Sequence, residues 1–369
     1  MAVSDTPATA GGERPVPPAA PDEPERSTLR AIAGALSPRR ISAVYLFIVT
    51  LVLFGVWEPN IFLTSGNFDS ILDTNAYYAI AAVGLVLCFA VFQFDFAVGA
   101  EIGFGLIVAA YLSYHGMATG EVLVLTVLIG MGIGLFHSFA VLWARIPSFI
   151  ATIATSSVLL ALTTIVSGGN YIEPLSSSFE SITSGKLLGL QYPVFYLLGI
   201  ALIVWYVLER TPLGRRIYAT GDNLEAARLS GIRVNWMIIG CYVVCGATAA
   251  LAGALLASSN AAGDPTEGPQ LLLPVLTACF LGSTQFKPGH HNVWGTVFAV
   301  YVLATGVQGL DEVTSVTWLS NMYNGVALLI AVGATQMQRR PAQLAAIRRV
   351  VVAVKGVRGG TADGAAPPA

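Results

Sequence analysis

The chain has 369 residues, 55% of them hydrophobic and 11% charged, with a mean hydropathy of +0.70 and a formal net charge of −2. Soluble domains carry about 25% charged residues, so the composition excludes a soluble enzyme core and predicts an all-α polytopic membrane protein. The small net charge carries less information than the distribution of charges along the chain.

Residues 1–36 are rich in Pro, Ala, Gly and charge, have no apolar periodicity, and read as a disordered tail. The first apolar run begins near Ile41 with no small-residue cleavage site after it, so no cleavable signal peptide is expected. Ten candidate spans follow by apolar length, at 41–57, 72–93, 97–114, 121–143, 148–168, 192–208, 236–258, 271–285, 292–310 and 317–336. They make one membrane domain over 37–340, and 341–369 reads as a second tail, basic and then disordered.

Inside 72–114 the apolar pattern is interrupted by Gln93, Phe94 and Asp95, then by Gly99, Glu101 and Gly103. Irregular backbone at membrane depth is tolerated only under cover of protein or beside a water cavity. Ionisable groups there are costly and functional by default. Asp95 reads either as a helix cap at the break or as lining of a solute route, and Glu101 either as an interfacial group or as part of that lining. Asn75, Thr152 and Thr155 complete the set assigned to the route. In Ile146-Pro147-Ser148-Phe149-Ile150-Ala151-Thr152, Pro147 suits the first turn of a helix. The hydroxyls that follow (Thr152, Thr155, Ser156, Ser157, Thr163, Thr164) either line a polar path or, as is commoner, bond helices together.

Residues 209–235 form the long polar interruption, with five arginines (Arg210, Arg215, Arg216, Arg228, Arg233) against Asp222 and Glu225. Asp222 reads as an N-cap, Glu225 as the return half of a capping box, and Gly231 as the C′ stop. That leaves about eight helical residues, 223–230, roughly 12 Å long. Such a helix is marginal alone, so the membrane domain or a partner must hold it. Further on come Phe280-Leu281-Gly282-Ser283-Thr284, Pro288-Gly289 and Val293-Trp294-Gly295-Thr296; His290 and His291 read as a solvated turn.

Charge sets the expected topology. With a cytoplasmic N-terminus, 18 of the 19 Lys and Arg fall inside and only Lys186 outside, which fits the positive-inside rule and an even number of spans. Outside fall Glu58, Asp69, Glu173, Glu180, Asp264, Glu267, Asp311 and Glu312. Trp57, Tyr111, Trp143, Tyr192, Trp205 and Trp318 sit at span ends, as interfacial aromatics do. The four cysteines lie in apolar runs. Cys241 and Cys245 are spaced for one helical face, but no histidine or carboxylate accompanies them, so buried thiols are expected, with no metal and no cofactor. No HExxH, GxSxG or Walker A pattern is present, so the chain is not expected to be an enzyme or to bind ATP through a P-loop.

Four of these motifs carry a resemblance. Thr211-Pro-Leu-Gly-Arg-Arg-Ile-Tyr-Ala-Thr-Gly-Asp-Asn-Leu-Glu-Ala-Ala-Arg-Leu-Ser-Gly231-Ile resembles the cytoplasmic coupling loop of ABC importer permeases of the ribose/xylose/arabinose type. Phe94-Asp95-Phe96-Ala97-Val98-Gly99-Ala100 is similar to their Asp-Leu-Ser-Val-Gly-Ser signature, with Phe96 for Leu and Ala97 for Ser. The 146–152 and 280–296 motifs resemble their Pro-Phe-Ile-Ala-Thr-Leu entry and late Leu-Gly-Gly-Thr block, with Ser148 added and Ser283 in place of a Gly. The resemblance covers roughly 65–335.

It implies a type II-importer-like permease fold of two inverted halves, though no repeat is visible in the sequence. It also implies a homodimer in the bacterial inner membrane with both termini cytoplasmic, an ABC ATPase subunit on the cytoplasmic face and an extracytoplasmic solute-binding protein. Nucleic acid is not an expected partner. Asp222, Glu225, Ala226, Ala227, Arg228 and Gly231 would couple to the ATPase, which hydrolyses ATP while the permease moves a monosaccharide or polyol. Permeases for nucleosides or branched-chain amino acids are the alternative, and a secondary transporter a more distant one.

Overall fold

In the computed structural model, residues 42–286, 289–314, 316, 318–333 and 335 are described. Both predicted tails, with their arginines, lie outside the described residues, as do Lys287 and Pro288. The described chain is all-α apart from one two-stranded hairpin and an isolated bridge. In order come α1 (Ser42–Trp57), α2 (Pro59–Phe62), α3 (Ser65–Ala90), α4 (Val98–Tyr114), α5 (Thr119–Leu142), α6 (Ser148–Ser167) and α7 (Ser177–Ser184). The hairpin of β1 (Lys186–Leu187) and β2 (Leu190–Gln191) follows. Then come α8 (Tyr192–Arg210), α9 (Pro212–Asp222), α10 (Leu224–Leu229), α11 (Val234–Asn260), a 3₁₀ turn (Gly268–Leu271), α12 (Leu272–Gly282) and α13 (Val293–Val313). A last helical run, α14, covers 318–333.

Each of the ten candidate spans falls on one of these helices. Six (α3, α5, α6, α8, α11 and α13) are long and apolar enough to cross a membrane. The segments at 44–57, 98–114 and 268–282 are apolar but shorter.

Two helices form the centre. Of the most apolar 18 residues of α3, 78% are buried, and of α11, 67%; for α5 the share is 33%, and for α6 and α8 it is 28%. The outer faces of these three show Leu128, Phe136, Phe139, Ile153, Ile165 and Ile203, the side chains a lipid environment accepts. Small residues bring α5 close to the central α11. A Cβ on Gly130 of α5 would strike the Gly246 carbonyl oxygen of α11, and a Cβ on Gly246 would strike that of Gly130. Such close backbone approach is how membrane helices gain packing without a hydrophobic drive.

The halves repeat a pattern. In the first, a long helix (α3) ends, residues 91–97 run irregularly, a short helix (α4) starts, and a long one (α5) follows. In the second, α11, residues 261–267, the 3₁₀ turn with α12, and then α13 do the same. The long members α3 and α11 pack antiparallel, Gly84 against Thr248 and Cys88 beside Cys245. The short members meet at their starts: a Cβ on Gly103 would lie 2.8 Å from the Gly268 Cα, and one on Gly99 2.9 Å from the Leu272 nitrogen. With 17 residues, α4 spans about 25 Å at 1.5 Å per residue, less than the ~30 Å hydrocarbon core. It packs along α11, where a Cβ on Gly105 would strike the Ala250 backbone.

Candidate functional site

Two sites emerge: a face built by α9 and α10, and a buried polar junction at the 91–97 break.

The 209–235 stretch is two helices. Thr211 caps α9, accepting the Gly214 N–H at 3.4 Å, with Pro212 in the first turn. This helix lies against the ends of others. A Cβ on Gly221 would strike the Ala90 carbonyl at the end of α3. Tyr218 donates its hydroxyl hydrogen to the His291 carbonyl at 2.9 Å. Burial, and then Glu209, raises the Tyr218 phenol pKa above its ordinary value, which keeps it a donor.

The predicted N-cap is displaced by one residue. Asp222 is the last residue of α9, and Asn223 caps α10, its Oδ1 accepting the Ala226 N–H at 2.9 Å. The reason is backbone geometry. Asn223 takes the extended conformation (φ −156°, ψ 100°) that an N-cap needs, while Asp222 is still helical. Glu225 is then the second helical residue, cannot close a capping box, and instead stands 3.7 Å from Arg228, both side chains exposed. Asp222 stands 3.7 Å from His290 Nε2.

The C-terminal prediction holds. Gly231 has φ +82°, the Ile232 N–H reaches the Ala227 carbonyl at 3.1 Å, and the Gly231 N–H reaches Arg228 at 3.0 Å. That double closure is a Schellman motif. The helix proper is six residues. Ala227 is its one buried residue, and Leu229 is 83% exposed. Among the described residues the tip of α10 is thus apolar and uncovered.

At the break, Asp95 does not cap α4: its Oδ1 accepts the Ala97 N–H at 2.9 Å in a turn just before the helix, and Ala97, the N-cap position, has no side-chain cap. The rest of the break is stitched to α6 and α11. Ser148 Oγ accepts the Phe94 N–H at 3.3 Å, Thr152 Oγ1 accepts the Phe96 N–H at 3.1 Å, and Tyr242 donates to the Phe94 carbonyl at 3.4 Å. Ser148, the residue that looked additional in its motif, therefore has a structural partner. Thr155 bonds back to Ala151 at 2.9 Å, and Asn75, half-buried on α3, donates to Ile71 at 2.9 Å.

Glu101 is fully buried, not interfacial, and lies beside His137, a residue the sequence reading passed over. His137 Nδ1 is 3.4 Å from both Asp95 Oδ2 and Glu101 Oε1. Its only sequence signal was a lone histidine in an otherwise apolar span. Nor is His291 solvated: it is buried, its Nδ1 3.2 Å from the Cys279 carbonyl and its ring against Phe89 and Phe280.

The opposite end of the bundle carries the predicted external loops. Tyr171 donates to Asp264 at 3.0 Å, the Gln191 N–H reaches Asp73 at 3.0 Å, and Asn260 donates to Glu267 at 2.9 Å.

Residues 67–332 match the family model described as branched-chain amino acid transport system / permease component. The ribose import permease protein of Bacillus subtilis is 30% identical over 78% of this chain and 89% of its own length. The D-allose transport system permease protein of Escherichia coli is 26% identical over 84% and 95%. An autoinducer 2 import system permease protein of Yersinia enterocolitica is 27% identical over 79% and 81%. No solved structure matches.

Proposed function

The chain belongs to the branched-chain amino acid transport system permease component family, and from that premise we propose that it is the membrane subunit of an ABC importer that moves a monosaccharide or related polyol by alternating access. The protein is multi-pass and sits in the bacterial inner membrane, with both termini and the α9–α10 face cytoplasmic. A separate ABC ATPase supplies the energy, an extracytoplasmic protein delivers the solute, and two copies of this chain pair around the route.

The observation that carries the reading is α10. It is six residues long, closed at both ends by Asn223 and Gly231, with an exposed Leu229 at its tip. So short a helix gains little by itself, and an uncovered leucine on a rigid tip is what a cleft in another subunit would take. Asp222, Glu225, Ala226, Ala227, Arg228 and Gly231 are assigned to this contact.

Two stiff connections lead inward. Through α9, Gly221 presses on the end of α3 and so on the break before α4. Tyr218 holds the turn between α12 and α13. Motion of the ATPase at α10 would therefore reach both short helices, α4 and α12. The solute route is assigned to Asn75, Thr152 and Thr155, with Asp95 and Glu101 behind them. All but Asn75 are buried within one chain, so on this reading the route opens when the helices reorient.

Import of a branched-chain amino acid is the second reading, favoured by the family's description. The relatives named for ribose and D-allose favour the sugar. Co-purification with an ATPase subunit and a solute-binding protein, followed by ATP hydrolysis assays with ribose, D-allose, a nucleoside and leucine, separates these. Stimulation by a sugar is expected. Stimulation by leucine alone transfers the assignment to the second reading, and failure to recruit any ATPase removes the ABC assignment.

A further inference from the structure

Where α3, the break, α4, α5 and α11 converge, five side chains with metal-binding atoms meet. Asp95, Glu101 and His137 each bring one such atom to within 4.8 Å of the other two, and Cys88 and Cys245 do the same with an Asp95 oxygen. All five are fully enclosed. Asp95 Oδ2, both Glu101 oxygens and both His137 nitrogens lack a hydrogen-bond partner. Buried carboxylate oxygens without hydrogen bonds are costly, and more so within a membrane bundle.

We propose that this junction is a divalent transition-metal site of the zinc type, with Asp95, Glu101 and His137 as ligands and the thiols of Cys88 and Cys245 at its edge. The spacing supports a cation over an internal ion pair. His137 Nδ1 stands 3.4 Å from an oxygen of each carboxylate, and one N–H cannot point at both. That separation also exceeds the about 2.7–2.9 Å of a charge-assisted N–H···O bond. Ligands placed tetrahedrally at about 2.1 Å from a metal are themselves about 3.4 Å apart.

Charge agrees. With a metal bound, both carboxylates would be ionised and the imidazole neutral, and a dication would cancel the two negative charges. The nitrogen donor and the adjacent sulfurs favour zinc-like ions over magnesium or calcium. The ligands are also held by outer contacts: the other Asp95 oxygen accepts the Ala97 N–H, and the Tyr242 ring packs edge-on to His137 with centroids 5.8 Å apart. A bound ion would tie the break to α5 and fix where α4 begins.

The test uses the full chain in lipid nanodiscs, without a histidine tag. Metal analysis, with Co²⁺ loading after chelation, should give about one ion per chain and a ligand-field spectrum that Zn²⁺ abolishes. Glu101→Gln and His137→Gln should each lower uptake at least about tenfold, while Cys241→Ser, outside the cluster, leaves it unchanged. Zinc X-ray absorption on the wild-type chain does not depend on any variant folding: a first shell of nitrogen and oxygen at about 2.0–2.2 Å is expected. A chain that takes up neither Zn²⁺ nor Co²⁺, so that a shared proton alone occupies the site, overturns the proposal. Equal uptake by wild type and both ligand variants overturns it as well.

Discussion

Asn223 accepts the Ala226 N–H, while its neighbour Asp222 ends the previous helix and faces His290. Substitution at the two positions should therefore differ. Asn223→Ala removes a cap worth about 0.5–2 kcal/mol and is expected to weaken ATPase association, whereas Asp222→Ala leaves α10 closed. Amide exchange at Ala226 reads the cap directly, and faster exchange in the Asp222 variant alone would restore the assignment made from sequence. At the other end of the bundle, burial and then the nearby Asp264 push the Glu267 carboxyl up to about 7 from 4.5, against the lowering effect of the Asn260 hydrogen bond. A carboxyl raised by folding binds more protons in the native state. Its contribution to stability therefore falls as pH rises from 4.5 to about 7 and is level beyond either limit. Glu267→Gln should stabilise the protein above pH 7 and change nothing below pH 4.5, as read by thermal unfolding in detergent at both extremes.

At the scale of elements, α10 depends on its neighbours, because one buried alanine cannot hold six residues in place. Leu229→Asp should leave folding and membrane insertion intact and reduce ATPase recruitment at least about tenfold, the scale of a buried apolar anchor (1.4 kcal/mol per tenfold). Glu225→Lys should act in the same direction, since it puts a positive charge in the first turn and removes the partner of Arg228. Recruitment at the wild-type level in both variants would refute the coupling role. In the centre, Gly130→Leu forces α5 away from α11 and should cost about 3 kcal/mol or more, the upper end for overpacking. Melting in detergent measures it, and an unchanged midpoint would mean the helices are not packed there.

Across the whole molecule, the ends differ in charge. Arg210, Arg215, Arg216, Arg228 and Arg233 share one end with the turn before α13, while Asp73, Asp264 and Glu267 mark the other, together with Lys186. If the acidic end faces outward, the solute-binding protein should dock through basic residues, and docking should weaken as salt rises. Affinity measured at low and high ionic strength checks this, and insensitivity to salt would remove the electrostatic account. The two-half architecture also belongs to this scale. It is invisible to a reader of the sequence because the halves share an order of helix, break, short helix and helix, not a residue pattern.

Placement of the apolar helices, the break near Asp95, the C′ role of Gly231 and the family were legible in the chain itself, because apolar run length, special backbone requirements and a contiguous motif are local properties; the polar helices α7 and α9 were not. The cap at Asn223 was not, because choosing between adjacent capping residues depends on where α9 stops, and Gly221 against Ala90 decides that. Burial of His291 was hidden for the same reason, since Phe89 and Phe280 reach it from other helices. The meeting of Asp95, Glu101, His137, Cys88 and Cys245 was beyond any reading of spacing. The five come from five elements as much as 157 positions apart by residue number, and only the packing of α5 and α11 around the break makes them neighbours.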